Sequence, residues 1–106
     1  MIIWLLVEGS PVRQFCMDPR ALPFLDPKIA RHDILGNVGT LRQSTDASNA
    51  SITIPLRNDS GQATALLAIP PLGARAVLYG DSAVLFEGSI AQIDLSATNA
   101  NLLVQA

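Results

Sequence analysis

The residues in this chain with the greatest chemical potential are His32, the only histidine, and Asp33 directly after it, among many serines. A Ser-His-Asp system needs the acid to orient the imidazole from across the ring, and the three groups normally come from separate segments. Adjacent residues in a proline-rich stretch do not supply that geometry. No Gly-x-Ser-x-Gly elbow is present, so hydrolase chemistry is not expected. Cys16 is the single cysteine, which excludes an internal disulfide and, with one histidine, leaves too few soft ligands for a structural zinc site. Between Phe15 and Met17 it reads as a small buried hydrophobe. Glu8, Glu87 and Asp94 fall among apolar runs and read as solvated or paired groups on outer strand faces. The glycines stand singly at turns rather than in a phosphate-cradling loop. The sequons at Asn49 and Asn58 would matter only in a secreted eukaryotic chain, for which nothing else argues. The expectation is a protein without catalytic, cofactor or metal residues.

Composition narrows the remaining classes. A chain of 106 residues makes one domain, residues 1–106, with an expected radius of gyration of roughly 13 Å. Charged residues make up 15%, against about 25% in ordinary globular domains, so apolar or neutral polar surface is expected to be covered by a partner. Lys28 is the only lysine beside six arginines, a balance that interfaces and codon bias both produce. The net charge of −2 without a basic stripe argues against nucleic-acid binding. Met1 to Val7 is apolar but lacks a cationic start and is cut short by Glu8, so neither a signal peptide nor a membrane span is expected.

The elements that would position any site are mostly strands. Residues 74–79 and 83–95 read as an antiparallel hairpin around Gly80-Asp81-Ser82, with a bulge or kink expected at Glu87-Gly88. Beyond it, Ala91, Ile93 and Leu95 share one parity and Gln92 and Asp94 the other. Residues 2–7 form an apolar strand, 12–17 a weaker one, 51–56 an alternating one, and 102–105 a last one. Residues 44–51 and 97–101 read as polar turns, Gly36 and Gly39 bracket another, and 40–43 makes a short strand. Pro55 requires an unpaired edge or a bulge. Residues 62–69 suit about two helical turns ended by Pro70-Pro71, with Asp59 or Ser60 as N-cap. The sum is a mainly β fold: a small antiparallel β-barrel or sandwich with one short helix.

Residues 18–39 are the exception. Pro19, Pro23 and Pro27 recur every fourth position, which forbids a continuous helix or ladder. Two readings stand: a loop packed by Leu22, Phe24, Leu25 and Ile29, or an arm laid on a neighbouring subunit. On the arm reading, Leu22, Phe24 and Leu25 are candidate interface residues, joined by Val77 if it points outward.

The run Leu56-Arg57-Asn58-Asp59, a short apolar helix-like segment, Leu72-Gly73-Ala74-Arg75-Ala76-Val77-Leu78, then Leu85-Phe86-Glu87-Gly88-Ser89-Ile90 and Ile93 resembles a block of tailed-bacteriophage tail-tip and baseplate hub proteins. In that family a strand ending in L-x-N leads through a small helix to G-x-x-V-x-L, and a hairpin then leads into L-F-x-G-x-[IV]-x-x-I. The block covers about residues 52–95. The resemblance implies a structural virion protein of the hub-like or distal-tail-like kind, assembled in the host cytoplasm. It would self-associate in a ring and contact other tail proteins such as the tail tube, hub or distal tail protein. The competing reading is a small β-barrel module binding a ligand or carbohydrate. With aromatics at 5% and both Trp4 and Tyr79 in predicted strands, open sugar platforms are not expected.

Overall fold

The computed structural model describes residues 2–16, 18–32, 42–46, 49–68 and 71–106. Asp33, the turn at Gly36 and Gly39, and the helix end at Ile69-Pro70 lie outside them. The strands are β1 (Ile3–Val7), β2 (Arg13–Cys16), β3 (Arg31–His32), β4 (Arg42–Asp46), β5 (Asn49–Arg57), β6 (Arg75–Gly80), β7 (Ala83–Leu95) and β8 (Asn99–Gln105). A 3-10 segment, Pro19–Phe24, follows β2, and the α-helix α1, Gln62–Leu66, follows β5. The strands form one eight-stranded sheet in the order β3-β2-β1-β6-β7-β8-β5-β4. All its described pairings are antiparallel except β2 with β3.

The sheet becomes a sandwich because β7 serves both halves. Its residues up to Ser89 pair with β6, and those from Ser89 onward pair with β8. The inner sides of the two halves meet in one apolar core: Leu5, Val7, Phe15 and Leu78 from one, Ile52, Ile54, Leu56, Leu102 and Val104 from the other. Phe86 and Ile90 of β7 join them, and Ala63 of α1 and Leu67 directly after it close one side. The fold is mainly β, and of the two expected architectures the sandwich is the one realised. The radius of gyration is 12.6 Å.

Two positions correct the sequence reading of β7. The register at Gly88 is regular, opposite Ala76. The irregularities lie at Leu85, the extra residue between Phe86 (opposite Leu78) and Val84 (opposite Tyr79), and at Ala91, skipped between Ile90 and Gln92. One extra residue moves the following side chains to the other face. The inward series therefore runs Phe86, Gly88, Ile90, then Ile93 and Leu95, and Ala91 belongs to the bulge rather than to the inward parity. Gly88 is instead required by close approach, because a Cβ there would lie 2.1 Å from the backbone oxygen of Gln105.

The turn of this hairpin is also tighter than expected. Gly80 still pairs with Ala83, leaving Asp81-Ser82 as a two-residue connection with Asp81 at φ 55°. Strands β4 and β5 extend into the predicted 44–51 turn, and β8 starts at Asn99. Pro55 faces Asn101 of β8 on one side, and the expected open edge on its other side falls on residues outside the described ones.

Helix α1 begins without a side-chain cap, at Gly61 in the left-handed region (φ 73°), not at Asp59 or Ser60. Its first turn is held from a distance by Asn58, which is 4% exposed. The Asn58 Oδ1 accepts from the Thr64 backbone N–H at 3.0 Å, and its Nδ2 donates to Thr64 Oγ1 at 2.9 Å and to the Ser96 carbonyl at 2.7 Å. One buried amide thus ties α1 to the β7–β8 turn, and each of its polar atoms has a partner.

Candidate interaction surface

The outer face of β1 and β2 is partly covered by the chain's own proline-rich segment, whose Ala21, Leu22 and Leu25 pack with Cys16, Ile2 and Trp4. Pro19 starts the 3-10 segment, where a missing N–H costs nothing. Asp18 caps it, accepting from the Arg20 N–H at 2.9 Å and from the Arg20 guanidinium at 2.6 Å. That guanidinium, with the backbone N–H second, holds the Asp18 carboxyl down at about 2. Further along, Gln14, buried on β2, exchanges two hydrogen bonds with the Asp26 main chain: its Nε2 donates to the carbonyl at 3.0 Å and its Oε1 accepts from the N–H at 2.9 Å. A side-chain amide here mimics a strand neighbour, and the segment continues into β3.

This arrangement sorts the candidate interface residues. Leu25 is 3% exposed and packs with Cys16 and Ala21, and Leu22 is half-buried against the same cluster with Ile2 and Trp4. Phe24 stays 44% exposed. Val77 lies on the face opposite the main core, since its cross-strand neighbours are Leu6 and Glu87, yet it is 1% exposed. Leu25 and Val77 are therefore covered within the chain and offer no free surface, a correction to both. The described part of the segment behaves as a packed loop with Phe24 projecting.

The groups with chemical potential are dispersed. His32 is half-buried at the sheet edge, its ring 5.8 Å from that of Phe15. Cys16 is buried and donates to the Asp18 carbonyl. Glu8 and Glu87 both grip Arg75, at 2.6 and 2.5 Å, and the Gln92 amide donates to both Asp94 carboxylate oxygens. These are the paired outer groups that the sequence led one to expect. The two carboxylates, Glu87 first, hold the Arg75 guanidinium more firmly protonated than usual. Among the described residues no group of three or more His, Cys, Asp or Glu is placed to hold a metal ion. Trp4 and Tyr79 stack on each other at 4.0 Å and 9°, and the Trp4 Nε1 donates to the Asp81 carbonyl at 2.8 Å. Each ring spends a face on the other.

What the surface does offer is apolar. Leu72, Val84, Leu85 and Leu95 are exposed along with Phe24. Leu95 points toward the sandwich interior, opposite Ala100, but at the open end, where it stays 46% exposed. With Leu67, Leu72, Ala91, Gln92 and Ile93 it lines a groove of about 260 Å³. The groove is continuous with the core, because Leu67 and Ile93 belong to or pack against it. Val84 lies on the other side of β7, opposite Tyr79. The sequence pointed to none of these four as surface; the signal was the Ile90-to-Ile93 spacing of three, which a strand with one inserted residue produces.

Among the described residues no helix is long and apolar enough to cross a membrane. Comparison with known protein families, with curated proteins and with solved structures finds no match.

Proposed function

We propose that the protein is a non-enzymatic structural subunit of a phage or phage-like tail tip or baseplate, repeated as a ring that joins the tail tube to the tip proteins. The observation that carries this reading is the pair of apolar surfaces on β7, the end groove around Leu95 and the outer flank at Val84 and Leu85. They lie on opposite faces and roughly 30 Å apart along the strand. A closed ring repeats one contact between two different patches on each chain, so it needs two such surfaces. The Leu56-to-Ile93 block, with its resemblance to tail-tip proteins, falls on the end of β5, α1, β6 and β7, the part of the fold that presents both. The low charge content agrees with further contacts to a tail tube, hub or distal tail protein.

The test is the mass of the purified chain by light scattering, alone and with candidate tail proteins, followed by its position in assembled particles. A ring mass, or co-assembly at the tube end, is the expected result. A chain that stays monomeric beside every tail partner ends the reading.

A further inference from the structure

In sheet order β7 is an interior strand, with β6 on one side and β8 on the other. Yet it is exposed at every position except Phe86, Gly88, Ile90 and Ile93, while β6 and β8 are largely buried. The register gives the reason. β6 and the two residues before it bond β7 only as far as Ile90, and β8 accompanies it only from Ser89 to Leu95. Among the described residues each half of β7 is therefore paired along one edge alone, and the two free edges lie on opposite sides of the strand.

The direction of the main-chain groups locates these edges. Ile90 turns toward the β6 side, where its N–H donates to Ala74 at 2.9 Å and its C=O accepts from Gly73 at 2.8 Å. Such groups alternate between edges along a strand, so Ser89 and Glu87 turn theirs toward the β8 side. Gln105 faces Ser89 there, and no described strand faces Glu87. Beyond Ile90 the extra residue Ala91 advances the alternation by one. Gln92 and Asp94 then address β8, opposite Leu103 and Asn101, and Ile93 and Leu95 turn their main-chain groups to the β6 side. Among the described residues nothing bonds the main chain of Glu87, Ile93 or Leu95 on these edges. A hollow lies beside each: one of about 580 Å³ at Glu87, Gly88 and Gln105, and the groove of about 260 Å³ at Ile93 and Leu95.

We propose that the two free edges of β7 pair with each other between copies of the chain. The Val84-to-Glu87 edge of one copy adds antiparallel to the Gln92-to-Leu95 edge of the next, and the sheet continues from subunit to subunit. This rests on the assembly reading above and names the bonds of its repeated contact. An unpaired edge is a row of donors and acceptors that an added strand satisfies. Two edges on opposite sides of one strand suit a second copy, because every copy then carries both halves of the same heterologous contact. Antiparallel apposition of opposite edges also turns one copy over relative to its neighbour. The outward Val84 of one copy thereby comes to the inward side of the next, at the groove around Leu95, so main-chain pairing and apolar burial call for the same contact. Because β7 passes between the two halves of the sandwich, its edges do not share a plane, and repeated pairing can turn back into a ring instead of running on as a flat sheet.

The test is amide hydrogen exchange on the full chain, followed by NMR, at concentrations where light scattering shows it monomeric and where it shows it assembled. The Glu87, Ile93 and Leu95 amides should exchange freely in the monomer and at least about tenfold more slowly in the assembly. The Ile90 amide, bonded in both, is the internal reference. Glu87→Pro removes an edge donor and should block assembly, whereas Glu87→Ala, which only releases one carboxylate from Arg75, should not. If the proline variant does not fold, the wild-type exchange decides the matter. An assembly whose edge amides stay fast overturns the strand pairing and leaves the ring reading standing. Slowing that appears only when a different tail protein is added assigns the edge to that protein and overturns the proposal as well. Slowed edges in an open filament keep the pairing and end the ring, and a chain that stays monomeric ends both.

Discussion

Gly88 and Gln105 approach so closely that no side chain fits between them: a Cβ on residue 88 would lie 2.1 Å from the Gln105 carbonyl oxygen and 2.5 Å from its carbonyl carbon. The obstacle is backbone, which cannot swing aside as a side-chain tip would. The contact falls where β7 passes from its β6 ladder to its β8 ladder, the fold line of the sandwich. Gly88→Ala is therefore expected to destabilise by about 1–3 kcal/mol, the usual cost of overpacking. The urea midpoint should drop accordingly, and an unchanged midpoint would refute the geometry.

Asn58 gives a second expectation. From its buried position its amide binds Thr64 and the Ser96 carbonyl, so Asn58→Ala leaves those groups without this partner. Thr64 and Ser96 are themselves exposed, so each hydrogen bond removed costs about 0.5–1.5 kcal/mol rather than the full penalty of a buried unpaired group. The loss should appear as a lower urea midpoint, with faster amide exchange at Thr64 than in the wild type. A neutral substitution would mean that water replaces the amide freely.

The sequence made the strands visible where one face is apolar and hid what depends on single polar side chains. The 51–56 and 74–79 strands follow from their apolar patterns, and both belong to the core. The bulges at Leu85 and Ala91 were misplaced to Gly88 because a glycine in a strand signals either a bulge or a close approach, and pattern alone does not separate the two. Strand β3 is two residues long and parallel to β2, too short for any periodicity. The Gln14-to-Asp26 clamp that prepares it joins residues twelve apart through one amide, a contact that no local propensity encodes. Val77 and Leu25 looked available because strand parity and proline spacing give direction but not cover.

Asp18 supplies a pH expectation. Its folded-state carboxyl is held at about 2, well below the ordinary aspartate range, by the Arg20 guanidinium first and the Arg20 backbone N–H second. A lowered folded value means that the stabilisation is complete above the unfolded value and is lost as pH falls toward 2. The Asp18 carboxyl should titrate by NMR with a midpoint near 2, and the Arg20 amide should shift with it. Because the pair is exposed, the global fold should change little over this step. Asp18→Asn should abolish the Arg20 shift, and a midpoint near the ordinary aspartate value would show that the cap is not formed in solution.

The last expectation separates assembly from folding. Val77 is 1% exposed, so Val77→Asp buries a charge with no designed partner and should unfold or strongly destabilise the chain. Leu95→Asp and Leu85→Asp change exposed side chains, 46% and 39%. Each should leave the chain folded, with a loss of unfolding free energy of about 1–2 kcal/mol at most and well below that of Val77→Asp, because both side chains already reach water. If the groove around Leu95 and the flank at Val84 and Leu85 are the two halves of one repeated contact, either change alone should stop ring formation. Mixing the two variants should then give at most a dimer, joined through the one intact groove and the one intact flank, because a heterologous contact needs one good surface of each kind. His32→Ala, at the sheet edge beside Phe15, should leave the ring mass unchanged. Light scattering on the four variants and the mixture decides the matter: a ring that forms with both Leu95→Asp and Leu85→Asp would remove these surfaces from the assembly.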